Sequence, residues 1–206
     1  MARRTKEEAE QTRIEILRSA LDIFCEKGYS RTTFDEIAKR INLTKGAVYW
    51  HFRNKPDLIA ALIREAFNRA NNIILQKVPE IKSVDDLKQR CIINATLVRD
   101  EPYYRKFLFF IFYQMEWSEA ILGTICKSIK DIDEYPLKEI KQTLTFSQKN
   151  GEISPEINIE ATAQILCSLW HGLLGGFITG KCTLDFPTLV EKSFDLITNG
   201  LKRKVL

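Results

Sequence analysis

The sequence predicts an all-α protein in two parts. A small N-terminal three-helix unit holds a helix-turn-helix, and a larger helical part follows it. Three observations carry this. No stretch alternates apolar and polar residues between turn residues, so no sheet is expected. Two capping boxes, Thr5-x-x-Glu8 and Thr33-x-x-Glu36, mark helix starts close together. The 206 residues are 45% hydrophobic and 28% charged, which suffices for buried cores and excludes global disorder.

The elements follow in order. The first helix opens at Thr5, carries Leu17, Ala20, Leu21 and Phe24 at i, i+3, i+4, i+7, and stops at Gly28, where a left-handed residue is needed. The second opens at Thr33, turns Phe34, Ile37, Ala38 and Ile41 inward, and ends before Asn42, which tolerates positive φ. Thr44 caps a third short helix with Ala47 and Val48. Asn54, with Pro56 and Asp57 behind it, caps a fourth that runs to about Pro79 and serves as a connector. The domain boundary is placed there, giving 1–55 and 56–206.

Beyond Pro79 the helices lengthen. Ser83 opens one that runs to about Asp100. Eight aromatics crowd residues 103–117, too many for one face of a surface helix. A helix is expected over 118–150, kinked or split by Pro136 and ended by Asn150-Gly151. The last two run from Asn158 to Thr179 and from Pro187 to Asn199.

Thr33 to Phe52, TFDEIAKRINLTKGAVYWHF, carries the function-bearing pattern. Ala38 is small where two helices cross, Asn42 takes the tight turn, and Ile37, Ile41, Leu43 and Val48 form a small core. Lys45, Gly46, Tyr49 and Trp50 then project outward. The net charge is +4. Residues 1–60 hold twelve basic and nine acidic residues, a surplus of three. Lys39 to Pro56 has five basic residues and no acid in eighteen positions. Basic residues interleaved with Tyr49, Trp50 and His51 suit a phosphate backbone. The other reading is a solvated basic face on a small bundle.

These residues resemble the DNA-binding domain of the tetracycline-repressor (TetR) family of bacterial regulators. TKGAVYWHFRNKPDL, Thr44 to Leu58, is similar to the family's signature around its recognition helix, and MARRTKEEAEQTR is similar to its multidrug-efflux (AcrR-like) branch. The match covers about 60 residues. The rest resembles the family in length, helix count and the Gly151-Glu152 turn.

The resemblance implies a ligand-released repressor that binds a palindromic double-stranded operator as a homodimer, with a ligand in the larger domain changing the spacing of the two reading heads. It implies a phosphate-contacting cap at Thr33, a recognition helix opened by Thr44, Lys45, Gly46 and Ala47 with Lys45 reaching a base edge, and backbone clamps at Tyr49, His51 and Lys55. Arg3 and Arg4 would reach an adjacent groove or phosphates.

Other features have competing readings. The aromatics of 103–117 are core, or Phe107, Phe110, Tyr113 and Trp117, with Trp170 and Phe177, line a pocket for an apolar or cationic effector, with Gln114 or Glu116 supplying polar contacts. Ser168, Gly172, Gly176 and Gly180 recur every four residues as a ridge of small residues. With Leu189, Phe194 and Ile197 it would form the subunit interface, the family pairing its last two helices, or it packs within the chain. Ala161 to Gly180 lacks charge for twenty residues, but only eleven are apolar and no membrane span is expected. GGFITGKC at 175–182 departs from a phosphate-binding loop at Cys182 and lacks a preceding strand.

Five cysteines at long, irregular spacing suggest neither disulfides nor zinc. No Ser/His/Asp set or paired carboxylates stand at informative spacing, so no catalytic residue, metal or cofactor is assigned. No apolar stretch follows the charged start, so a cytoplasmic location is expected. Control by a protein partner, activation in place of repression, and a helical enzyme with a DNA-binding head stay open.

Overall fold

A computed structural model of the chain describes residues 5–119, 121–123, 125 and 135–202. Every regular element among them is helical.

Helix α1, Lys6–Lys27, starts where a complete capping box satisfies its first amides. The Thr5 hydroxyl accepts from the Glu8 amide at 3.2 Å, and the Glu8 carboxylate accepts from the Thr5 amide at 2.9 Å. Gly28 ends it at φ 89°, and its amide donates to the Phe24 carbonyl at 2.8 Å. Helix α2, Phe34–Arg40, and helix α3, Lys45–His51, are joined by Asn42 at φ 53°, a residue that accepts this conformation at low cost. Ile37 and Val48 are fully buried and Ala38 nearly so, which permits the close crossing. The Ser19 hydroxyl donates to the Ile37 carbonyl at 3.2 Å and ties α1 to α2. Each buried Ile, Leu or Phe here contributes roughly 1.5–3 kcal/mol.

Helix α4, Lys55–Lys77, is capped by the Asn54 side chain, which accepts from the Asp57 amide at 2.8 Å. Helix α5, Val84–Asp100, is capped by Ser83. Helix α6, Pro102–Phe109, runs into one π-helical turn, Phe110–Gln114, closed by the Met115 amide on the Phe110 carbonyl at 2.8 Å. Of the helix expected over 118–150, the described residues 119, 121–123 and 125 are helical, and Tyr135–Lys149 forms helix α7. Pro136 is the second described residue of α7, and the residues before Tyr135 that would distinguish a kink from a split lie outside the described residues. Helices α8, Ile159–Ile178, and α9, Phe186–Lys202, complete the order.

The chain forms two compact units. The first holds the described residues up to Ala66 and those from Lys106 to Ile125. The second holds Phe67–Arg105 and the described residues from Tyr135 onward. The aromatic segment from Lys106 thus belongs to the same unit as the head, whereas the sequence grouped it with everything after residue 55. Its anchor is Phe110, fully buried and stacked on Phe24 at 5.3 Å. Lys106 adds an ion pair to Asp22.

In the second unit α5 packs along α9, joined by the Lys88 ion pair to Asp195 and the Arg99 ion pair to Asp185 at 2.9 Å. Arg90 is 7% exposed. Its guanidinium donates to the carbonyls of Val78 and Pro79 at 2.8–3.1 Å and pairs with Glu139. It satisfies the chain end of α4 while joining α5 to α7.

Candidate nucleic-acid interface

Helix α3 buries Val48 completely and half-buries Ala47. The opposite side, Lys45, Gly46, Tyr49 and Trp50, is exposed, with Tyr49 at 51% and Trp50 at 74%. Positions 45, 46, 49 and 50 share one helical face by the 3.6-residue period. Thr44 orients this face: its hydroxyl accepts from the Ala47 amide at 3.2 Å. The Tyr49 ring meets the edge of Phe34 at 4.9 Å, and the Lys45 ammonium lies 5.6 Å above the Tyr49 ring. Trp50 meets His51 edge-on at 4.6 Å.

The acid-free basic window is less free in three dimensions than in sequence. Lys39 pairs with Asp35 at 2.6 Å and Arg40 with Glu26 at 2.7 Å. The Lys55 ammonium donates to the carbonyls of Tyr29 and Ser30 at 2.9 Å each and lies 4.7 Å over the Tyr29 ring. Partial burial pulls its pKa below the ordinary lysine value, against the opposing pull of Glu116. The structure thus shows Lys55 tying α4 to the α1–α2 turn, in a position the sequence assigned to a backbone clamp. Lys45 makes no ion pair among the described residues, and it is the cation on the outward face. Arg3 and Arg4 lie outside the described residues.

Thr33 is exposed at the start of α2, but a carboxylate already occupies its surroundings. Its hydroxyl donates to Glu36 at 2.8 Å and its amide donates to the same carboxylate at 2.9 Å. The Lys27 hydrogen bond first, then those from Thr33, hold the Glu36 pKa down at about 2, against 4.5 ordinarily. A depressed carboxylate stabilises the fold above its unfolded pKa, and that contribution disappears as pH falls through the folded one. Glu36→Gln is therefore expected to flatten the acid limb of the melting-temperature profile between about pH 4.5 and 2. Identical acid limbs for both proteins would contradict the assignment.

The residues named for the effector pocket fall in both compact units. Phe107 and Phe110 are fully buried core residues of the first unit. Gln114 donates to the Cys25 carbonyl at 3.5 Å, and Glu116 accepts from the Ser30 hydroxyl at 2.6 Å, so both polar candidates face the head. Trp117 donates to the Ile111 carbonyl at 3.1 Å, and Tyr113 is half-exposed and stacked on Phe109 at 5.8 Å. Trp170 and Phe177 belong to the second unit, where both rings pack on Phe186, at 5.8 and 4.5 Å.

The ridge of small residues divides similarly. Ser168 and Gly172 are exposed. Gly176 has a reason within the chain, since a Cβ there would meet the Cys182 sulfur at 3.0 Å. Gly180 closes α8 at φ 70°. Of the second helix, Phe194 is buried in its own unit, because it shares the inward face with Val190 and Leu201, while Leu189 and Ile197 are half-buried. The large exposed apolar residues nearby are Ile165 at 57%, Leu184 at 56% and Leu196 at 79%, none of them anticipated. Leu196 lies two residues past Phe194, hence on the opposite side of the helix, which the period alone reveals. By length and composition Ile159–Ile178 is apolar enough to cross a membrane.

Residues 16–62 match the family model for bacterial regulatory proteins of the tetR family. The chain is 49% identical over 202 residues to the HTH-type transcriptional regulator TtgR of Pseudomonas putida, covering 95% of this chain and 93% of that protein. Two solved structures share the fold. NalD, the secondary repressor of the MexAB-OprM multidrug efflux pump in Pseudomonas aeruginosa, superposes with a TM-score of 0.77 at 23% identity, covering 95% of this chain and 98% of that one. SmeT, the repressor of the Stenotrophomonas maltophilia multidrug efflux pump SmeDEF, gives 0.74 at 21% identity, covering 94% and 91%; it has also been solved with triclosan.

Proposed function

The chain belongs to the TetR family of bacterial regulatory proteins, and we propose that it is a transcriptional repressor that grips a palindromic operator as a homodimer and is released by a small effector. The observation that carries this is the outward face of α3. An exposed lysine and two exposed aromatics stand on a short helix whose other side is locked by Val48 into the head. Such a helix enters the major groove while its neighbour braces the backbone. Residues 1–55 are the reading head, and the remainder carries dimerisation and effector binding.

The dimer would cover the exposed side of α8 and α9, around Ser168, Gly172 and Leu196, which also explains why α8 carries no charge from Ala161 onward in a protein that works on DNA in the cytoplasm. The effector is a small apolar or cationic molecule, a reading supported by the triclosan complex of SmeT. The protein acts by binding, as a regulator without catalysis.

A ligand at 100 times its Kd that binds only the released form weakens operator binding by about 2.7 kcal/mol per site, roughly a hundredfold. A mobility-shift titration on duplexes flanking the protein's own gene is expected to show a retarded complex that triclosan or a lipophilic cation dissolves. A complex that no such compound weakens would remove the effector part of the proposal.

A further inference from the structure

The outward face of α3 has little capacity to hydrogen-bond base edges. Gly46 and Ala47 bring no polar side-chain atom, which leaves the Lys45 ammonium and the hydroxyl of Tyr49, whose ring is held on Phe34. The largest feature of the face is apolar: Trp50, 74% exposed, its ring braced edge-on against His51 at 88°. Trp50 stands four residues after Gly46, so its Cα–Cβ bond leans toward the turn that Gly46 leaves bare. A Cβ at Gly46 would meet only the Thr44 hydroxyl, at 3.8 Å. An indole presented beside an open patch, on the same face as Lys45, enters the groove with the helix. The major groove has one apolar feature, the C5-methyl group of thymine.

We propose that Trp50 determines specificity by packing on a thymine methyl in each half-site, so that part of the operator sequence is read by shape and apolar contact. This rests on the DNA-binding function proposed above. The competing role for the same residue is an indole N–H donated to a phosphate, which carries no sequence information.

The 206-residue chain is used to select duplexes from a random double-stranded library, and each thymine of the recovered duplex is replaced singly by uracil, which removes only the methyl. The wild type is expected to lose about fourfold in affinity per methyl at one position of each half-site, the factor for burying one methyl-sized group. Trp50→Phe is expected to keep most of that penalty, and Trp50→Ala to bind thymine and uracil duplexes equally. Because Trp50 is exposed, unchanged melting temperatures are expected for both variants. A duplex without a uracil-sensitive position, or a uracil penalty undiminished in Trp50→Ala, overturns the inference while leaving DNA binding intact. Equal losses in Trp50→Ala and Trp50→Phe with the penalty retained assign the indole to a phosphate and overturn it too. Recovery of no duplex overturns the DNA-binding function itself, and this inference with it.

Discussion

Lys45→Ala is expected to weaken operator binding by about 2–6 kcal/mol, twice the roughly 1–3 kcal/mol of one base-edge contact, because a dimer presents the residue to both half-sites. The reason is geometric. Lys45 is exposed on the outward face, makes no ion pair among the described residues, and has its ammonium oriented by the Tyr49 ring 5.6 Å away. Lys39 and Arg40, its neighbours in the sequence, are engaged by Asp35 and Glu26. Binding to a random duplex depends on total charge and should fall much less, since each of the two lysines contributes only one counterion-releasing contact. Titrations on the selected and on a scrambled duplex, at one salt concentration, separate the two. An equal loss on both would remove Lys45 from base readout.

Phe24→Ala is expected to cost about 3–5 kcal/mol of stability, the range for emptying a large aromatic site in a core that relaxes only partly. Phe24 is fully buried, stacked on Phe110 at 5.3 Å and tilted against Tyr29 at 5.6 Å. It is the point where α1 holds the segment that follows α6, so the loss extends beyond the local cavity. Urea unfolding followed by circular dichroism measures it, with Phe24→Leu expected to lose distinctly less. A loss below about 1 kcal/mol would mean that the stack contributes little and that the site collapses freely.

The head was legible because its signals are local. Thr5 and Thr33 cap within three residues, Gly28 and Asn42 take positive φ at helix ends, and the inward face of α2 follows the helical period. What the sequence hides is tertiary. The ammonium of Lys55 is held by carbonyls 25 and 26 residues away, and Arg40 meets Glu26 from another helix. Neither pairing leaves a trace in spacing. The aromatic run was only partly legible. Its buried side, Tyr104, Phe107, Leu108 and Ile111, follows the helical period, and Phe112 and Tyr113 emerge at 45% and 50% exposure on the other side. Spacing does not disclose the partner of that buried side, such as Phe24 stacked on Phe110.

The central claim is that α3 reads a major groove, twice, from a symmetric dimer. A nuclease footprint of the chain on its selected duplex tests it most directly. The account predicts two protected half-sites related by a two-fold axis, with centres separated by about 10–10.5 base pairs or a multiple of that. It also predicts that Lys45→Ala abolishes the protection at a concentration where the wild type saturates it. A single unsymmetric footprint, or one that Lys45→Ala leaves unchanged, would contradict it.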